Sequence, residues 1–368
     1  MDGPKPVQGK SQPTIIDIAR EAGVSKSTVS RVLNGQNGVS EQARYQVLQA
    51  ARRLGYTPNG LARGLSGRHT AMVGFVLSDI SNPFFPELAR GIEDVAREMG
   101  YTVLFANTDG RPDREHEAVR LLVERRVDGI VFASVTRETD CLRWLREVGI
   151  PFALAGRSTD DPDVDSVVVD NVAGGRMATE HLLGLGHSRV AFIGGPRNVS
   201  ASVERFEGYR QAFRARNLEV DPRLVRWADF RQSGGYVAAL ELLQGTGEPP
   251  TALFAANDQM AIGALDAALE LGLEVPDQLA LVGFDDIPVA GLRALQLTTV
   301  AQPKYEIGSL AMRMVAGRIE ERRRRLAGGG ARRVVLAPSL VVRRTCGALR
   351  VSPADRLPAG PLGGRARG

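Results

Sequence analysis

The chain has 368 residues, 43% of them hydrophobic, enough for two or three packed domains. Its two cysteines, Cys141 and Cys346, are too few for a disulfide framework, and no run nears the roughly eighteen apolar residues of a membrane span. The net charge is only +5, but residues 1–70 hold ten Lys and Arg against four Asp and Glu, residues 318–368 thirteen against three, and residues 71–317 24 against 35. Basic ends on an acidic body point to a partner at the ends and a soluble globular centre. The opening MDGPKPVQGKSQPT lacks the apolar core of a signal peptide, so a cytoplasmic protein is expected.

Residues 1–13 are Pro, Gly and polar, a composition that predicts disorder. Thr14 with Asp17 three residues on predicts a capping-box start to a first helix. Ile15, Ile18 and Ala19 form its inner face, and Gly23 ends it. Ser25 caps a second helix, VSKSTVSRVLNG, with Val29, Val32 and Leu33 on one face and Asn34-Gly35 as its stop. Ser40 caps a third, with Ala43, Val47, Leu48, Ala51 and Leu54 inward and Gly55 closing it. After Tyr56-Thr57-Pro58, residues 59–70 are weakly helical, since two glycines lower intrinsic helix stability.

From Ala71 short apolar runs alternate with amphipathic stretches. MVGFVLSD, YTVLFANTD, GIVFAS, VVVDN, RVAFIGGP, VRWADF, TALFAAND and LALVGFDD are the runs. Helical patterns separate them, among them PELARGIEDVAREMG, EHEAVRLLVERRVDG and residues 203–216, 233–244 and 259–271. This alternation predicts a parallel, doubly wound sheet. Ten or so strands are too many for one such domain, so two similar lobes are expected. RVVLAPSLVVRRT is one further strand-like segment, and residues 346–368 are Pro, Gly and Arg rich, predicting a disordered basic tail.

Helix, three-residue turn, helix is the geometry of a DNA-binding helix-turn-helix, whose second helix enters the major groove. Small hydroxyls let that helix approach the phosphates, and cations read base edges. On this reading Lys26, Ser27 and Arg31 meet bases, and Ser25, Thr28, Ser30 and Asn34 meet phosphate. The other reading is a capped surface helix.

Several motifs in order carry a resemblance. TIIDIAREAGVSKSTVSRVLNG and VSEQARYQVLQAARRLGYTPNGLARGLSGRHT come first, then VGFVLSDISNPFFPELARGIEDVA, VDN, HLLGLGH, FIGGP, NDQMAIGAL and VGFDD. From about Thr14 to Thr345 the chain resembles the lac repressor (LacI/GalR) family of bacterial transcriptional regulators. The resemblance implies an all-α helix-turn-helix head over 14–58 and a hinge helix or linker over 59–70. It also implies a body over 71–345 like the periplasmic sugar-binding proteins, with two Rossmann-like lobes joined by three crossovers. Residues 59–66 would fold only on operator DNA, with Leu65 wedging into the central base step, Ala62 beside it, and Asn59 and Tyr56 on the backbone. Arg63 is open between a minor-groove contact and a solvated linker charge.

In open α/β sheets ligands sit at the carboxyl ends of strands. That rule picks out Asp79, Asn82 and Phe84 after the first run, then Asn257-Asp258 and Asp285-Asp286. Matching the family's effector positions adds Arg205, Phe230 and Gln302, with Arg157 after FALAG. Other readings stand beside these: helix caps for Asp79 and Asp258, core for Phe84, and a surface pair with Glu204 or Glu207 for Arg205. Lys304 departs from the pattern, standing where a relative has an aromatic. The resemblance implies a sugar effector and double-stranded operator DNA as partners. Residues 346–368 carry no tetramerising leucine heptad, so a homodimer on a palindromic operator is expected. The rival is a sugar sensor without specific DNA binding. His69, His116, His181 and His187 show no metal-ligand spacing, and GxSxG, Walker A and GxGxxG are missing, so no enzyme, metal or cofactor is expected.

Overall fold

A computed structural model describes residues 13–33, 37–56, 69–137, 139–245, 247–326 and 329–348. The chain divides into two compact units, Met1–Thr70 and Ala71–Gly368.

The first unit contains α1 (Ile15–Ala22), α2 (Lys26–Leu33) and α3 (Glu41–Arg53). The capping box at Thr14 forms in both directions with Asp17, and Gly23 ends α1 at φ 65°, where a side chain would be strained. Ser40 caps α3 by accepting from the Ala43 N–H. Ile18, Val29, Val32, Val47, Ala50 and Ala51 make the core. Leu48 departs from the expected inner face of α3. It is 45% exposed, and the smaller Ala50 takes the buried place. Asn34, Asn59, Ala62, Arg63 and Leu65 lie outside the described residues.

The second unit holds two six-stranded sheets. In the first lobe the strands are β1 (Met72–Leu77), β2 (Thr102–Asn107), β3 (Gly129–Ala133), β4 (Phe152–Ala155), β5 (Ser166–Val169) and β11 (Arg333–Leu336), in the order β11-β5-β4-β3-β1-β2. In the second they are β6 (Val190–Gly194), β7 (Val225–Trp227), β8 (Ala252–Ala255), β9 (Ala280–Asp285), β10 (Thr298–Ala301) and β12 (Ser339–Val341), in the order β12-β10-β9-β8-β6-β7. The two lobes thus repeat one winding, with the first-made strand second from the edge. Most of their strands are apolar and buried along their length, as parallel strands covered on both faces must be.

The last strands cross between lobes. The expected single segment RVVLAPSLVVRRT is two strands, because Pro338 has no N–H for a ladder. β11 (Arg333–Leu336) pairs parallel to β5, and β12 (Ser339–Val341) pairs antiparallel to β10. The predicted tail also begins too early. Thr345 and Cys346 are buried in the second lobe, where the Thr345 hydroxyl donates to the Leu281 carbonyl (2.8 Å) and accepts from the Thr298 N–H (2.9 Å). A thiol is small and apolar enough to close that core, which charge and Pro/Gly content could not reveal.

Three helix pairs pack at backbone contact through glycines. α7 (Asn171–Gly184) meets α8 (Ser200–Arg214) in the second lobe. A Cβ on Gly208 of α8 would lie 2.1 Å from the Val172 carbonyl oxygen and 2.5 Å from the Arg176 nitrogen. Neither backbone atom can give way without parting the helices. Gly208→Ala is therefore expected to cost about 3 kcal/mol, at the upper end for overpacking, with a matching fall in melting temperature. An unchanged melting curve would show that the pair can slide apart freely.

Candidate functional site

On α2, Val29 and Val32 face inward and Lys26, Ser27 and Arg31 are exposed. The Ser25 hydroxyl accepts from the Thr28 N–H (3.1 Å) and is hydrogen-bonded to the hydroxyls of Ser27 (2.7 Å) and Thr28 (2.8 Å). Part of the hydroxyl row therefore serves as the helix cap. Lys26 and Arg31 have no carboxylate partner among the described residues. Lys26 also sits in the first turn, beside the positive end of the helix dipole and with no acid to offset it. An external anion reverses that penalty, as phosphates do at helix N-termini. Tyr56 is half-buried against the same core, its N–H donating to the Ala51 carbonyl.

In the body, all nine sequence-predicted residues line one cavity of about 110 Å³. At about 10–15 Å³ of free space per water, that is on the order of eight waters, the size class of one small polar ligand. The walls are strand ends of both sheets. Asp79 accepts from the Ser81 N–H (3.0 Å) and hydroxyl (2.6 Å), closing a turn after β1, and pairs with Arg231 at 3.2 Å. The Asn82 side chain accepts from the Phe84 N–H (3.0 Å) at the start of α4 (Phe84–Glu98). Phe84 belongs to the core cluster as well as to the cavity wall, edge-on to Phe85. Gly195 has no side chain where a Cβ would be 2.3 Å from the Phe230 ring, so the ring lies on the backbone there.

Arg205 is not a surface residue. It is 4% exposed, donates from Nε to Asn171 (2.9 Å), stands 3.6 Å from the Asp285 carboxylate, and lies over the Phe284 ring. Asn171 donates in turn to Glu204 (2.8 Å). Burial raises the Asp285 carboxyl from its ordinary range, opposed by Arg205, Lys304 and the Gln302 amide, which donates to it at 2.6 Å. Burial and the Asp285 charge together push Asp258 well up. Asp258 heads α10 (Asp258–Glu270) and accepts from the Thr299 hydroxyl and the Ile287 N–H, whereas the helix cap is Asn257, which accepts from the Met260 N–H (2.9 Å). Burial, with the neighbouring Arg205 cation, pushes Arg157 down to about 10, so it remains charged at neutral pH.

Phe230 (φ 67°), Asp285 (φ 117°) and Asp286 (φ 51°) all hold the left-handed backbone. At non-glycine residues this costs about 1–3 kcal/mol each, and such strain collects at binding sites.

Contacts that join the lobes around the cavity include Asp79 with Arg231, the Arg137 N–H with the Asn198 carbonyl (2.8 Å), Ser158 with Ser200 and Glu204, Arg157 over the Phe230 ring, and Lys304 with Glu87. Lys304 opens α11 (Lys304–Arg323), is 3% exposed, and donates to the carbonyls of Asp285 (2.7 Å) and Asp286 (3.0 Å) while pairing with Glu87 (3.2 Å). Sequence reasoning passed over Arg231, Asn171 and Ser158, and placed Glu204 only as a surface partner of Arg205. The strand-end rule could have found Asn171 and Arg231, which directly follow the VVVD and VRWADF runs.

Residues 14–59 match the model for bacterial regulatory proteins of the lacI family, and residues 70–333 the model for periplasmic binding proteins and the sugar binding domain of the LacI family. The chain is 39% identical to the HTH-type transcriptional regulator DegA of Bacillus subtilis (strain 168), over 91% of this chain and 98% of that protein. The chain belongs to the LacI family. Among solved structures, it is similar to the lac repressor dimer bound to operator and the anti-inducer ONPF, at 27% identity and a TM-score of 0.79, over 91% of this chain and 99% of that one. It is also similar to a complex of the transcriptional regulator CelR with cellobiose, at 34% identity and a TM-score of 0.69, over 90% and 99%. As in this family, the chain is a DNA-binding transcriptional regulator with a sugar-binding type of body, not an enzyme.

Proposed function

We propose that the chain is a cytoplasmic, homodimeric repressor that binds a near-palindromic operator and responds to one small polyhydroxylated effector in the inter-lobe cavity. The observation that carries this reading is that the cavity is walled by strand ends of both lobes, with hydrogen-bonding side chains beside Phe84 and Phe230. An occupant bridging the two lobes changes how they close on each other. Closure then shifts the population of dimers able to present both heads to DNA. A coupling of about 1–3 kcal/mol, or 5–150-fold in operator affinity, is the usual scale. Sugars are the first class to test, since the CelR structure contains cellobiose. The test is operator binding, followed by fluorescence anisotropy, against a panel of sugars and nucleosides. A ligand that shifts affinity within that range supports the reading, and indifference to the whole panel counts against it.

The proposed wedge at Leu65 gives a separate expectation. Leu65→Ala should weaken specific binding by about 10-fold or more and binding to random DNA much less, because only specific binding involves the kinked central step. Equal loss on both DNAs would remove the wedge.

A further inference from the structure

We infer that the effector carries a negative group, a carboxylate or a phosphate, held by Arg157 together with the N-terminus of α8. This rests on the effector reading of the cavity and specifies its ligand class.

Three arginines line the cavity, and two are already matched to carboxylates. Arg231 pairs with Asp79 and Arg205 with Asp285. Of the acids on the wall, Asp109 pairs with Arg114, and Asp229 is exposed at the rim, accepting from the Arg231 N–H (3.0 Å). Arg157 has neither an ion pair nor an acceptor among the described residues. Its Nε is buried without a hydrogen bond, and its guanidinium lies over the face of Phe230, 5.6 Å from the ring centroid. The residue is half-buried, with its Nε shut off from solvent and no acceptor beside it; leaving that donor unpaired is costly, and a planar two-oxygen anion matches the guanidinium fork.

The helix beside it has the same deficit. α8 is 15 residues long, has no side-chain cap at Val199, and carries no acid in its first turn. Ser202, in that turn, is fully buried with its hydroxyl unpaired. Asn198 and Val199 line the cavity with Arg157, and the Ser158 N–H donates to the Ser200 hydroxyl (3.0 Å), which holds the Arg157 loop against the helix start. A cation without an acceptor and an uncapped helix N-terminus converge on one place. Together they form a cradle for an anion. Glu204, one turn further on, is engaged by Ser158 and Asn171.

The probes are inorganic phosphate and acetate, which contain the anion without a sugar ring, titrated into the full chain at constant ionic strength. Thermal shift and calorimetry are the readouts, on wild type, Arg157→Gln and Arg157→Lys. Binding of one or both anions is expected, with affinity falling at least about 10-fold in Arg157→Gln and less in Arg157→Lys. Phosphate alone, or acetate alone, identifies which anion the site takes. No binding of either, or equal binding to Arg157→Gln, overturns the inference. The effector reading is scored separately by operator release. Neutral sugars that release operator while neither anion binds leave that reading standing and remove this one. Anion binding with an operator complex deaf to every ligand does the reverse.

Discussion

Arg205→Ala is expected to abolish the effector response and to lower the melting temperature of the body by about 10 °C. Both effects follow from burial. Arg205 stands among Asn171, the Ala256 carbonyl, the Asp285 carboxylate and the Phe284 ring. Removing it leaves Asp285 buried without its nearest cation, and breaking a buried pair costs about 3–5 kcal/mol. For a unit of this size each kcal/mol is worth about 2–4 °C. The sequence left open a surface pair with Glu204 or Glu207, a reading that carries no stability cost, because helix position does not disclose burial. Arg205→Lys restores a charge but not the planar fork, so it should recover part of the stability and little of the response. Differential scanning fluorimetry and effector titration of the operator complex check both parts. A variant that melts and responds like wild type would take Arg205 out of the site.

Replacing Lys26 and Arg31 together by alanine should weaken operator binding about 100-fold or more. Each is exposed on α2 and has no carboxylate partner among the described residues, so the fold of the head should be unaffected. If each cation reads a base edge, it contributes about 1–3 kcal/mol of discrimination. Binding to random DNA should fall less, with a shallower salt dependence. Anisotropy titrations at several salt concentrations, on operator and on random duplex, separate the two terms. Equal losses on both would make these residues phosphate contacts and move sequence reading elsewhere on the head.

Features set within three or four residues were legible in the sequence. Thr14 with Asp17, Gly23 and Ser40 act as predicted, because caps are local hydrogen bonds. The alternating runs disclosed the doubly wound body, and the strand-end rule with the family match brought nine residues to one cavity. What remained hidden depends on pairings distant in the chain. Asp79 meets Arg231, and Lys304 meets both Glu87 and the end of β9, across lobes whose closure no local pattern encodes. The split of the final strand at Pro338 belongs to the same class, since each half is specified by a different sheet. The unmatched charge of Arg157 is visible only after every other cavity cation has found its partner.

The measurement that tests the central claim most directly is selection of binding sites from a random duplex pool, with the purified full chain at one stated salt concentration. A homodimeric repressor recovers a near-palindrome with a constant central step, as a two-fold pair of heads demands. No enriched sequence, with and without ligand mixtures, would contradict it and leave a ligand sensor whose head does not read DNA.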